Sequence, residues 1–550
     1  MAADAEVIVV GLGVGGEFVA GRLAEAGLGV VGIESALVGG ECPYWGCVPS
    51  KMIIRAANTL AEARRVGKLA GYATVQPDWS IVARRIREEA TDDWDDTVAV
   101  QRFTRKGGRF VRGRAAVTGS RTVVAGGREF RASRGLVLAT GTQPAVPPVD
   151  GLAGTPYWTN HGALEAMEAP ASLTVAGGGA VGVELAQAFA RFGTAVTIVE
   201  AADRLLPGEE PEAGELIGEV FRREGIRVLT RARLRRVSHD GRYFTVHLDG
   251  AGPVHSERLL VAAGRRADLT ALGVAAAGID DTGPFIAVDD HLRAADGVWS
   301  VGDVTGAGAF THVATYQARI AASDILGQAH EPASYRALPR VTFTDPEVGA
   351  VGLTEAQARG TDVSVRTAVS PIPSSSRGWI HGPGNDGFIK LIADTDAGTL
   401  IGATSAGPAG GEVLGALAVA VHARVPVAML SQMIYAYPTF HRAIEDAITQ
   451  LSLRRPDRIT TRAVALPAKI VERGENCAGF CAGAVVRVDF DPADHPVGAD
   501  GRIRRHRRQA GNLLHQPAAW RGRLVADRLF ITQPALTAPP ATSGAAEIAR

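Results

Sequence analysis

Cysteine is nearly missing from this sequence, with four in 550 residues. Net charge is missing too: 58 Lys and Arg balance 58 Asp and Glu, so no global field draws the protein to nucleic acid or to a membrane surface. No stretch reaches the roughly 18 uninterrupted apolar residues that a bilayer span needs. The opening "MAADAEVIVVGLG" lacks a basic n-region and a cleavage site, and its apolar run reads as a strand. These absences lead us to expect a cytoplasmic protein without membrane or nucleic-acid partners. In a reducing cytosol a close cysteine pair points to catalysis or metal binding rather than to a structural bridge. What remains is ordinary for a globular chain, 46% apolar and 21% charged, long enough for three or four domains of ~150 residues.

Glycine, by contrast, is plentiful at 66 residues, and much of it falls in short clusters after apolar runs. Residues 6–34 read strand, "GLGVGG", helix, strand, with Gly11, Gly13 and Gly16 in G-x-G-x-x-G spacing and Glu34 ending the second strand. The first glycine makes the tight turn, the second lets backbone approach a pyrophosphate, and the third lets helix pack on strand. The helix N-terminus donates N–H groups to the phosphates, and the acid bonds a ribose hydroxyl. The pattern returns at 172–200 with Gly177, Gly179, Gly182 and Glu200. In both copies the acid follows the last glycine by 18 residues (16 to 34 and 182 to 200). Two tight turns in parallel sheets would not repeat that offset, so the sequence predicts two dinucleotide sites.

Between the copies, "GLVLATGTQPAVPPVDG" reads as a strand and a domain crossover. From about residue 336 the pattern changes to turn-separated antiparallel strands, followed by helical patterns at 411–424 and 441–452, an α+β domain. From Arg454 the tail holds sixteen Arg and Lys against nine Asp and Glu and includes "GRIRRHRRQAG". A charge run of this kind marks a solvated, disordered segment, and no aromatic stacking pattern accompanies it.

Two of the four cysteines, Cys42 and Cys47, share "GGECPYWGCVPSK" at 39–51. Five residues apart on a regular helix, their Cα atoms would stand roughly 8.6 Å apart, beyond the about 7 Å a disulfide tolerates. A bridge therefore requires a distorted turn, which Pro43 and Gly46 suit, and Pro49 fits the first turn of the helix that follows. A thiolate at that helix N-terminus has a lowered pKa. A zinc site would need two further ligands, and neither a C-x-x-C nor a His pair lies nearby.

"GGECPYWGCVPSK" resembles the redox motif of the flavin-dependent pyridine nucleotide–disulfide oxidoreductases, which include dihydrolipoyl dehydrogenase, glutathione reductase and mercuric reductase. "ATG" at 139–141, "VGD" at 301–303 and "FTDPEVGAVGLTE" at 343–355 extend the resemblance over residues 6–452. It implies an α/β fold with two Rossmann-like dinucleotide-binding domains, for FAD and NAD(P), and a C-terminal α+β dimerisation domain. The expected boundaries are 1–147 and 271–335 for the two parts of the FAD domain, 148–270 for the NAD(P) domain, 336–452 for the interface domain and 453–550 for the tail. By resemblance, FAD contacts fall on Gly11, Gly13, Gly16, Glu34, Lys51, Ala115, Gly141, Asp303 and Thr311. Nicotinamide contacts fall on Gly177, Gly179, Gly182, Glu184, Glu200 and Gly264. Cys47 becomes the thiol against the flavin, Cys42 the exposed thiol that meets substrate, and Lys51 and Glu184 a pair near the flavin. The implied protein is a homodimer passing electrons between NAD(P)H, FAD and a small-molecule or protein-borne disulfide or dithiol. Glu200 favours NADH, because it would accept from a free 2′-hydroxyl and repel a 2′-phosphate; Arg204 lies close by.

The chain departs from the family at three places. Where disulfide-reducing members carry His-Pro and a glutamate four residues after the proline, it has Tyr437, Pro438 and Arg442. Tyr437, with help from Arg442, and His441, with Glu445 one turn on, are the candidates for the missing base. Glu41 stands where small or neutral residues are usual, with a charge expected to raise the pKa of Cys42, and Tyr44 and Trp45 are bulkier than the family norm. Cys477 and Cys481 invite comparison with the C-terminal pair of mercuric reductases, although their spacing differs. The main expectation is dihydrolipoyl dehydrogenase-like chemistry. The alternatives are mercuric reductase-like metal reduction, and a flavin diaphorase, quinone reductase or redox sensor.

Overall fold

A computed structural model describes residues 3–453; the Arg-rich tail, with Cys477 and Cys481, lies outside the described residues. The first apolar run forms strand Ala5–Val10 at the centre of a parallel sheet, between Val30–Glu34 and Arg128–Leu138. Val298–Ser300 joins beyond Arg128–Leu138 and Arg109–Arg112 beyond Val30–Glu34. Val30–Glu34 is buried along its whole length, as expected for a parallel strand covered on both faces. Val19 and Leu23 of helix Val14–Glu25 and Ala318 and Ile325 of helix Thr311–Leu326 cover one face. Val117, Phe130 and Val274 cover the other.

The second glycine repeat builds a second parallel sheet in the order Arg227–Leu229, Ala195–Val199, Ser172–Ala176, Arg258–Val261. Its helix Ala180–Arg191 packs against helix Cys47–Arg65, and Ile53, Ala57, Val183 and Phe189 share one core. The chain leaves the first sheet and returns to it by two crossovers that lie side by side, Gln143–Pro144 pairing with Arg265–Arg266.

The third region is a five-stranded antiparallel sheet, in the order Pro339–Thr342, Glu347–Gly352, Thr399–Gly407, Phe388–Asp394, Val365–Pro371. Helices Gly410–His422 and Arg442–Leu453 close it through Leu414, Leu417, Ile444 and Ile448. The expected change of texture near residue 336 therefore corresponds to a change from parallel to antiparallel pairing. Among the described residues, no helix is long and apolar enough to cross a membrane.

Two buried ion networks tie the regions together. Arg191 bonds Glu224, Asp345 and Asn58, and Arg65 of the cysteine helix reaches the same Asp345 oxygen at 2.7 Å. Lys390 lies on the interface sheet with its ammonium 2.7 Å from Glu210, 2.7 Å from Glu212 and 2.9 Å from Glu355. Lys390 is 3% and Glu210 1% exposed at the side chain. Lys390→Met strands a buried carboxylate, and breaking a buried pair in this way costs about 3–5 kcal/mol. Urea unfolding of the variant should register a loss of that order, whereas Glu212→Gln, at the exposed rim, should lose less than about 1 kcal/mol.

Candidate active site

The C-terminal ends of the parallel strands define a crevice where the strand order reverses, the usual ligand position in such sheets. Gly11 has φ +87°, and a Cβ there would strike the Ala139 carbonyl; a Cβ on Gly16 would strike the carbonyl of Gly11. The second repeat copies this arrangement, with Gly177 at φ +115° against Ala262 and Gly182 against Gly177. The middle glycines differ: Gly179 has open space around its missing Cβ, and Gly13 has only Gly40, at 3.9 Å. Each lies at the N-terminus of a twelve-residue helix, as backbone that cradles phosphate requires.

The two acids are held alike. Glu34 accepts from the N–H groups of Leu12 at 2.7 Å and Ala36 at 2.8 Å. Glu200 accepts from Gly178 and Ala202, both at 2.6 Å. Beside Glu34 lies a cavity of about 150 Å³ lined by Gly11, Arg114, Ala115, Gly141 and Asp268 among others. These residues fit a dinucleotide at each repeat. Asp303 follows strand Val298–Ser300 and accepts from Thr142 at 3.2 Å, with Arg265 3.9 Å away. Burial raises its pKa, against the opposing pull of Arg265 and Thr142. Gly264, at φ +108°, sits in the returning crossover, where its carbonyl accepts from Ala145.

The cysteine motif does not form a continuous helix. One turn, Glu41–Tyr44, carries Cys42; the chain breaks at Trp45 and Gly46; and helix Cys47–Arg65 begins on the second cysteine. At Gly46 (φ −128°, ψ −116°) the backbone doubles back, so that a Cβ would meet the Glu41 carbonyl at 2.9 Å and Cys42 Cα at 3.3 Å. That reversal removes the regular-helix separation that would forbid a bridge. The sulfurs are unbridged in the structure, and Cys47 Sγ lies 3.3 Å from Thr311 Oγ1. The hydrogen bond from Cys42, then Thr311 and the Lys51 charge, lower the pKa of Cys47 to about 6 against the effect of burial. The same bond, with burial, raises Cys42 far above the usual thiol range. Cys42 thus keeps the proton and Cys47 the charge. Cys47 starts the long helix and faces Thr311.

One turn along that helix, Lys51 Nζ pairs with Glu184 at 2.8 Å, joining the cysteine helix to the second repeat. Glu184 also accepts from the N–H of Phe343, whose ring lies 4.6 Å from Lys51 Nζ. The largest influences on Cys42 are Cys47 and burial, and the Glu41 charge is turned elsewhere. The Glu41 carboxylate bonds His161 at 2.6 Å and Asn160 at 3.0 Å, with Arg265 at 3.5 Å. Burial pushes Glu41 up, but His161 and Arg265 more than offset it and hold the group below the usual carboxylate range.

Tyr437 and His441 do not join this cluster within one chain. Tyr437 is 67% exposed, and Arg442 lies 5.6 Å from its ring and pairs with Glu445 at 2.5 Å. Glu445 is thereby engaged by Arg442 rather than by His441. Two further clusters have donors spaced for a metal, His291–Asp324–His330 and Glu210–Glu212–Glu355. Arg293 occupies Asp324 and Lys390 the three glutamates. Asn160, His161, Thr142 and Arg265 escaped the sequence reading because no motif marks them; only the fold brings them within reach of Glu41 and Asp303.

The sequence profile described as pyridine nucleotide-disulphide oxidoreductase matches residues 5–318, and its dimerisation-domain counterpart matches 338–448. The chain belongs to that family. It is 32% identical over 460 residues to the dihydrolipoyl dehydrogenase of Zymomonas mobilis, covering 82% of this chain and 98% of that protein. It is 34% identical over 442 residues to a mercuric reductase of Shewanella putrefaciens, covering 79% and 78%. Among solved structures, the HOCl-induced flavoprotein disulfide reductase RclA of Escherichia coli superposes with a TM-score of 0.71 at 27% identity, over 82% of this chain and all of that one. FAD and NAD(P)H are the cofactors of this family, and the chain is a flavin-dependent oxidoreductase.

The thiol assignment predicts a simple titration. In the reduced protein one thiolate, that of Cys47, should be present above about pH 6 and be lost as pH falls through that value. Thiolate ultraviolet absorbance against pH measures it. Thr311→Val should move the midpoint upward, and Cys47→Ser should abolish it.

Proposed function

We propose that this chain transfers electrons between NADH and a dithiol or disulfide of the dihydrolipoamide type, through FAD and the Cys42–Cys47 pair, in a cytoplasmic homodimer. The observation that carries the reading is the break at Gly46, which starts a helix on Cys47, sets its sulfur 3.3 Å from Thr311 Oγ1 and leaves Lys51 one turn on. FAD would rest on Gly11, Gly13, Gly16, Glu34, Lys51, Ala115, Gly141, Asp303 and Thr311, and the nicotinamide dinucleotide on Gly177, Gly179, Gly182, Glu184, Glu200 and Gly264. When bound, FAD supplies a two-electron relay between nicotinamide and sulfur. Two electrons delivered to the oxidised pair break the S–S bond, one proton ends on Cys42, and Cys47 keeps the negative charge. An outside disulfide then meets a Cys42 thiol that must surrender its proton to attack.

NADH is favoured because Glu200 is fixed by two backbone donors and presents negative charge where a 2′-phosphate would lie. Arg204 does not counter it, since its guanidinium is engaged by the carbonyls of Pro207 and Glu209. The homodimer accounts for exposed apolar side chains on the third region: Trp379 78%, Met429 62%, Ile434 96% and Tyr437 67% exposed. Tyr437 and His441 belong to that surface and act across it, which explains why they lie apart from the cysteines of their own chain.

Metal reduction is the second reading, favoured by Tyr437 at the position of the family histidine and by the mercuric reductases among the relatives. Anaerobic NADH titration should give a long-wavelength thiolate-to-flavin band, absent in Cys47→Ser; flavin bleaching without that band would dismiss the disulfide chemistry. Lipoamide turnover that drops at least about tenfold in Tyr437→Phe or His441→Ala supports the main reading. Negligible lipoamide turnover beside NADH-dependent Hg(II) reduction supports the second. Ile434→Asp should convert the dimer to monomer in sedimentation and remove lipoamide turnover, while the NADH-induced band persists.

A further inference from the structure

The turn between the two cysteines is held from outside by a single short helix, Asn160–Glu165, just after the crossover to the second sheet. His161 Nε2 lies 2.6 Å from Glu41 Oε1. A carboxylate only accepts, so the imidazole N–H donates. The same ring stacks on the Trp45 indole, with centroids 4.4 Å apart and planes 3° from parallel. Asn160 Nδ2 donates to Glu41 Oε2 at 3.0 Å and to the Trp45 carbonyl at 2.7 Å. Trp45 Nε1 donates to Glu165 at 2.7 Å. Glu41 precedes Cys42 and Trp45 precedes the Gly46 reversal, so all five contacts act on the segment that sets where the sulfurs lie.

From Glu41 the network continues inward. Arg265 stands 3.5 Å from Glu41 Oε2, donates to Thr142 Oγ1 at 2.8 Å and to the Thr142 carbonyl at 2.6 Å, and lies 3.9 Å from Asp303. The charged groups around the turn are therefore Glu41, Arg265, Asp303, Lys51 with Glu184, and Glu165 behind Trp45. Only Glu41 is adjacent in sequence to a reacting sulfur. A carboxylate loose beside the pair would oppose thiolate formation. Here it is turned toward His161, Asn160 and Arg265.

Resting on the redox reading of the cysteine pair, we infer that His161 is a positioning residue of this pair: through Glu41 and Trp45 it fixes the reversal and keeps the Glu41 charge off the sulfurs. Glu41, unusual for the family at this place, is tolerated because the crossover helix supplies a dedicated donor for it. Through His161 the cysteine turn is also attached to the second dinucleotide repeat.

The test is the pH midpoint of the long-wavelength thiolate band in the reduced, FAD-loaded enzyme. His161→Phe keeps the stack on Trp45 and removes the donor; its midpoint should rise by about one unit, a tenfold loss of thiolate at fixed pH. His161→Gln keeps a donor and should stay near the unaltered protein. Because the effect runs through Glu41, His161→Phe should shift nothing further in a Glu41→Gln background. An unshifted His161→Phe, or the same shift in both backgrounds, overturns the inference. Should His161→Phe lose its flavin, the pH dependence of Cys47 alkylation in the reduced polypeptide, read peptide by peptide, gives the same comparison. A missing band in the unaltered enzyme would instead count against the disulfide reading itself.

Discussion

The backbone reversal at Gly46 is the constraint on which the site depends. A continuous helix would hold the two sulfurs too far apart to exchange electrons as a pair. The break at Gly46 interrupts that helix and lets a new one begin on Cys47, so one distortion takes Cys42 off the regular helix and sets the electrostatics of the thiolate. That new helix then packs its Ile53–Ala57 face on helix Ala180–Arg191, which leaves Lys51 in reach of Glu184. The geometry of the sulfurs and the docking of the second repeat are thus consequences of the same nineteen-residue helix.

The two repeats solve the same problem twice. In each, the acid at the end of the second strand accepts from one N–H in the glycine loop and from one two residues beyond itself. Each carboxylate is thus fixed by backbone donors in the unliganded chain, so a ligand that met it would not have to order it. The third region contributes differently. It sends Phe343 and Asp345 into the joint between the repeats, and Asp345 neutralises Arg191 and Arg65 together.

Sequence periodicity and spacing made the architecture readable. The glycine triplets with their acids, the cysteine motif and the change of texture near residue 336 each correspond to a local rule that fixes a local structure. The Lys51–Glu184 pair was legible through the family resemblance. What escaped the sequence is long-range and unpatterned. His161 and Glu41 are 120 residues apart and belong to no motif, so nothing in the sequence could show that the Glu41 carboxylate is turned toward the crossover helix. Tyr437 and His441 show another limit: the sequence offers them as candidate bases, yet within one chain Tyr437 is exposed and Arg442 engages Glu445.

Lys390 has a mechanical implication. Its ammonium is shared by Glu210, at the start of a helix of the second repeat, and by Glu355 on the interface region. A swing of the second repeat against the third region would strain that contact, and the strand carrying Lys390 is the fourth of five in the antiparallel sheet. Strain arising at the second repeat would thus be passed through Lys390 to the third region, the part of the chain that matches the dimerisation-domain profile.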